Sequence, residues 1–193
     1  KIVYKNIYKS KIPNVSDEQF TTMMGSVQEY FIKDGDYKSV ANGSFFQWQL
    51  YLNKDNKLYN KMANSETLSW IDASKNPDEV LKTEVNKGVA EVLGYQCDEL
   101  ILTCKSGIQK YYFNTKLSVD SKLFTNHKFG NWYYFLSKSN SLPLKSIVDN
   151  GQFTLESIAT EVKEMKLDKT FFDVPPNAKA MKSPYKWEKM QPT

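Results

Sequence analysis

Arginine is missing from this sequence: every one of its basic residues is a lysine. The planar guanidinium is the usual means of gripping phosphate, carboxylate or a guanine edge at two points. The lysines are spread among acidic residues and leave a formal net charge of only +4. That is no electrostatic footprint for nucleic acid, and no nucleic-acid partner is expected. Histidine occurs once, at His127, which excludes His-rich metal sites and leaves a single candidate general base. It sits in a Lys- and Asn-containing loop with no Ser or Cys partner set by spacing, so a solvated side chain is expected there. Gly-rich phosphate loops and HExxH helices are absent. The apolar runs are strand-sized, too short to span a bilayer as a helix. No Pro/Gly/Ser-rich linker divides the chain, which reads as one domain over residues 1–176 followed by a polar tail over 177–193.

Cysteine is almost as scarce, with Cys97 and Cys104 seven positions apart in what reads as one strand. A continuous strand separates them by about 23 Å at ~3.3 Å per residue, far beyond disulfide reach. They are expected to be unpaired and, from the odd spacing, to face opposite ways, which disfavours a shared metal unless a bulge intervenes. So few cysteines leave the redox compartment undecided. Carboxylates do not pair usefully either. Asp34 and Asp36 suit a hairpin tip, and Asp98 and Glu99 are strand neighbours that point apart. No catalytic residue, metal ligand or cofactor site is therefore assigned, and the chain is read as not an enzyme.

What is present is a succession of strands. Residues 82–113 form a three-strand meander with turns at Gly94-Tyr95 and Lys105-Ser106-Gly107. Earlier, a strand over 2–8 leads to a short helix in which Ser16 is the N-cap, Gln19 completes a capping box, and Val15 and Phe20 form a hydrophobic staple. Gly25 ends it. Asp34-Gly35 marks a hairpin, and strands follow over 45–52, 57–62 and 67–71. Asn76-Pro77-Asp78-Glu79 is expected to open a helical turn. After Asp120-Ser121 a loop and a helix should lie across the sheet, because Gly130 weakens one long helix. A second hairpin, turning at Asn150-Gly151, joins 145–149 to 153–162, and Lys163 to Leu167 is expected to close the sheet. The fold class is mainly antiparallel β (α+β), a curved sheet or partial β-barrel with a few helices covering one side.

Along residues 45–52 the side chains Phe46, Trp48, Leu50 and Leu52 share one face at period two. They line the expected interior, with Trp132 and Phe135 above them as a lid. Such a cavity suits an acyl chain, since each buried CH2 contributes about 0.8 kcal/mol and few polar contacts are needed. The alternative is ordinary core, which aromatic stripes at strand spacing more often form.

The segment Val92-Leu93-Gly94-Tyr95-Gln96-Cys97 resembles an LGYxC element of small exported bacterial proteins of the GLPGLI family and its uncharacterised relatives, which are similar to the LolA-like lipoprotein-carrier fold. Three further stretches agree in order: Tyr111 to Leu117, Leu142-Pro143-Leu144-Lys145, and Leu167 to Pro175. The GLPGLI motif itself is missing, and a Trp usual after the Cys element is absent from Tyr111-Tyr112-Phe113, so the relatives fit better than the named family. The resemblance spans roughly residues 1–176. It implies export, with a leader removed ahead of Lys1, to the periplasm or outer membrane. It also implies a curved antiparallel sheet cupping helices, a role in lipid or lipoprotein handling, and no catalytic residues.

Two functions remain. One is a non-enzymatic protein binding a lipid or lipoprotein acyl chain in the concave face of its sheet. The other is a cell-envelope interaction scaffold with a filled core and no ligand. The state of the interior discriminates them: an open apolar cavity favours the carrier and a side-chain-packed one the scaffold.

Overall fold

In the computed structural model, which describes residues 1–184, twelve strands form one curved, unclosed sheet. The strands are β1 (Ile2–Ser10), β2 (Val27–Lys33), β3 (Asp36–Ala41), β4 (Phe46–Leu52), β5 (Lys57–Met62), β6 (Leu68–Asp72), β7 (Val80–Val92), β8 (Tyr95–Cys104), β9 (Gly107–Ser118), β10 (Ser141–Asn150), β11 (Phe153–Val162) and β12 (Ala180–Lys182). Their order is β12-β6-β5-β4-β3-β2-β1-β11-β10-β9-β8-β7. Two antiparallel meanders, β1 to β6 and β7 to β11, are thus joined where β1 pairs with β11. The antiparallel curved sheet read from the sequence is the observed architecture.

Local chemistry explains the turns. Asp34 and Gly35 both have positive φ, as a two-residue turn between β2 and β3 demands, and Asp tolerates that conformation better than most residues. At the β8–β9 turn Gly107 has φ 147°, and a Cβ there would stand 1.9 Å from the Asp149 carbonyl oxygen of β10. The first helix, α1 (Asp17–Met24), carries the expected capping box: Gln19 N–H donates to Ser16 Oγ at 3.0 Å, and Ser16 N–H donates to Gln19 Oε1 at 2.8 Å. Phe20 packs it onto Tyr8 and Phe153.

The second helix, α2 (Trp132–Ser139), follows two 3-10 turns at Ser121–Phe124 and Phe129–Asn131, with the break at Gly130, φ 65°. It lies over one face of the sheet, the inner face. Beneath it are buried Tyr30, Tyr37, Tyr51, Leu58, Leu100, Leu102, Tyr111 and Leu144, and the helical segment supplies Phe124, Phe135 and Leu136. The outer face of β2 to β6 is covered as well. Phe31, Leu50, Leu52, Tyr59 and Leu68 pack there against Leu167, Phe171, Phe172, Val174 and Ala178 of the C-terminal segment.

Three expectations are corrected. Residues 76–79 form no helical turn; the Asp78 carboxylate instead accepts from the Ser106 N–H at 2.9 Å and from Ser106 Oγ at 2.6 Å, tying the start of β7 to the β8–β9 turn. Residues 163–167 do not extend the sheet, because β11 ends at Val162 and the chain leaves for the outer face. The expected tail from 177 adds β12, which pairs in parallel with β6; residues 185–193 lie outside the described residues.

Candidate functional site

The six residues read as one apolar site fall on two faces. β4 is covered on both sides, so alternation of its side chains sorts them without saying which side α2 takes. Leu50, Leu52 and Trp48 belong to the outer cluster beneath the C-terminal segment. Trp132 and Phe135 belong to the inner one. Phe46 stands beyond a bulge between Phe46 and Trp48 and is half-buried. The inner residue of β4 is Tyr51, fully buried. The proposed lid therefore covers tyrosines, with the stripe of Trp48, Leu50 and Leu52 on the opposite face. Lys38 Nζ lies 5.2 Å from the Trp48 ring centroid and 5.3 Å from that of Phe171, so a lysine also flanks the outer stripe.

Inside, the centre of the cluster is His127. It is 1% exposed rather than solvated, because the loop that carries it is drawn onto the sheet: the Lys128 and Phe129 N–H groups both donate to the Ala73 carbonyl, at 2.7 and 3.0 Å. Its Nε2 hydrogen-bonds the Tyr37 hydroxyl at 2.8 Å, and its ring sits 4.3 Å from that of Tyr51. Burial holds its pKa down at about 4, so it is neutral at physiological pH. Tyr37, Tyr51, Phe124 and Trp132 surround it, and Phe135 stacks on Tyr111 at 4.4 Å. Three buried polar atoms of this one cluster, Tyr30 Oη, His127 Nδ1 and Trp132 Nε1, have no hydrogen-bond partner among the described residues.

Two residues along each strand from these core positions runs a row of neutral polar side chains. Ser69, Asn60, Gln49 and Ser39 lie directly opposite one another across β6 to β3, and Asn6 lies opposite Ser157 across β1 and β11. Hydrogen bonds join it in two segments, Ser157 to Ser39 and Gln49 to Asn60. Ser157 Oγ donates to Asn6 Oδ1 at 2.6 Å, Asn6 Nδ2 to Gln28 Oε1 at 3.2 Å, Gln28 Nε2 to Ser39 Oγ at 2.6 Å, and Gln49 Nε2 to Asn60 Oδ1 at 3.0 Å. Burying amides and hydroxyls is tolerable only when they are paired in this way. The signal was present in the sequence as Ser, Asn and Gln at period-two offsets from Tyr4, Tyr30, Tyr37 and Tyr51, and a search for apolar stripes passes over it.

Cys97 and Cys104 are unpaired, as expected, and both are buried on one continuous strand. Opposite Asp98, Lys87-Gly88-Val89 of β7 bulge out, and the Asp98 carboxylate accepts from the Gly88 N–H at 2.9 Å. Burial, then the nearby Asp78 carboxylate, pushes the Cys104 thiol up to about 12. Burial likewise raises Cys97. Neither thiol is set up as a nucleophile. Among the described residues no cluster of three or more His, Cys, Asp or Glu is placed to hold a metal, and no helix is long and apolar enough to cross a membrane.

Two concavities lie beside these faces. One of 350 Å³ opens at the edge of the inner face, between Val85, Leu100, Phe113 and Thr115 of the sheet and Lys138 to Asn140 at the end of α2. The other, of 680 Å³, lies on the outer side between Trp48, Lys61, Leu68 and Pro175 to Lys179. Compared with known proteins, the chain matches no family model and none of the curated proteins.

Proposed function

We propose that the protein is a non-enzymatic component of the bacterial cell envelope, an interaction scaffold with a filled core. The observation that carries this reading is the occupied inner face: Tyr51, Phe124, Phe135 and Leu136 are fully buried under α2. The row from Ser69 to Ser157 crosses the remainder. An acyl chain gains affinity by leaving water for a continuous apolar trough. A chain laid across this face would displace packed rings and meet hydrogen-bonded amides, so the gain is lost. The compartment rests on the resemblance to exported LolA-like and GLPGLI-related proteins. The curved antiparallel sheet bearing helices on one face is the architecture that the resemblance implies, and it supports that placement.

Fatty acids of increasing length, titrated against tryptophan fluorescence, test the reading. The expected outcome is no saturable binding at any length, and no co-purifying lipid in native mass spectra of protein from its own host. Saturable binding that tightens with each CH2 would overturn it in favour of the carrier of a lipid or lipoprotein acyl chain. One feature favours that second reading: the 350 Å³ cavity has apolar walls at Val85, Leu100 and Phe113, with Lys138 beside them and Lys87 paired to Asp98 at 3.1 Å. That combination suits an acyl chain with an anionic head. Binding lost in Thr115→Trp but kept in Leu50→Trp would assign the ligand there and not to the outer stripe.

A further inference from the structure

The strand at one end of the sheet, β7, has thirteen residues and a free edge: among the described residues it pairs only with β8. Such edges are ordinarily blunted, because a row of unpaired N–H and C=O groups is a template for another strand. The second half of β7 is blunted by the bulge at Lys87-Gly88-Val89. A second irregularity falls at Leu81, since Val80 pairs with Cys104 and Lys82 with Thr103, and Lys82 to Asn86 between the two keep an unbroken register with β8. Leu81 is 61% and Val85 51% exposed, and between them lie Lys82, Thr83 and Glu84.

The order apolar, Lys, Thr, Glu, apolar is its own complement when the chain is reversed. We propose that β7 pairs antiparallel with β7 of a second copy about a two-fold axis at Thr83, joining two sheets into one. In that register Lys82 lies opposite the second copy's Glu84, the irregular Leu81 comes beside its Val85, and each contact occurs twice, as an isologous interface requires. Charge selects the register. An axis at Lys82 sets two lysines face to face and an axis at Glu84 sets two glutamates so, both destabilising, while an axis at Val85 matches no charges and runs into the bulge. In the single chain the Lys82 ammonium sits 3.1 Å from Glu84, both well exposed, so the cross-copy pairs replace a solvated contact within one strand. The inner side chains do not obstruct the edge, since Thr83 is held inward by a 2.7 Å hydrogen bond to the Tyr134 hydroxyl. This inference does not depend on whether the protein binds acyl chains.

Sedimentation velocity over a concentration series tests it on the full chain. The wild type is expected to be a reversible dimer. Lys82→Glu and Glu84→Lys each place like charges opposite in both cross-copy pairs and should weaken self-association roughly tenfold or more. Mixing the two variants restores every opposite-charge pair, so the mixture should form a one-to-one dimer tighter than either variant alone. Circular dichroism verifies that both variants fold. A wild type that stays monomeric at every concentration would leave the edge to a strand of another protein and overturn the proposal. So would a dimer indifferent to both substitutions, or a mixture that associates no better than its parts.

Discussion

Lowering the pH from 7 to 5 should destabilise this protein through one side chain. His127 is the only histidine, and its pKa in the folded chain is about 4 against an ordinary 6.5, because burial disfavours the imidazolium. The unfolded chain therefore binds a proton in a range where the folded chain does not, and stability falls as the pH falls below 6.5. Integrating the difference between the two titrations gives a loss of about 2 kcal/mol between pH 7 and 5, and about 3 kcal/mol by pH 4. Below pH 5 the carboxylates Asp72, Asp98, Glu99 and Asp149, all held below their ordinary values, add losses of the same sign. The comparison that isolates His127 is with His127→Gln, whose amide cannot titrate. Urea unfolding at pH 7, 6 and 5 should give a wild-type stability that drops by about 2 kcal/mol more than that of the variant. Equal pH slopes in the two proteins would mean that His127 titrates normally in the folded state, and would refute its burial against Tyr37 and Tyr51.

Two substitutions test the packing that separates the faces. Phe172→Ala removes the most deeply buried side chain of the C-terminal segment and should cost about 3 kcal/mol, seen as a lower urea midpoint; no change would mean that the segment does not cover the outer face. Gly107→Ala puts a methyl group 1.9 Å from the Asp149 carbonyl oxygen at φ 147°. It should force β9 and β10 apart, with loss of amide protection at Asn150 and its neighbours in hydrogen exchange; protection equal to wild type would contradict the close approach.

The sequence by itself determined the strands and turns, because their causes are local. Asp34-Gly35 and Gly107 supply the backbone conformations that tight turns need, Ser16 and Gln19 cap a helix within four residues, and period-two alternation marks β4. Alternation divides a strand into two faces and leaves open which is which. In β4 both faces carry large apolar or aromatic side chains, Trp48, Leu50 and Leu52 on one and Tyr51 on the other, so the strand alone gives no preference. Only the tertiary structure decided it, by bringing α2 from residues 132–139 to one side and residues 167–178 to the other. His127 was illegible for the same reason: a Lys- and Asn-rich loop reads as solvated until the Ala73 carbonyl, some fifty positions away, draws its backbone onto the sheet. Each of these outcomes depends on a partner distant in sequence, and the free energy that selects it appears only when the two segments meet.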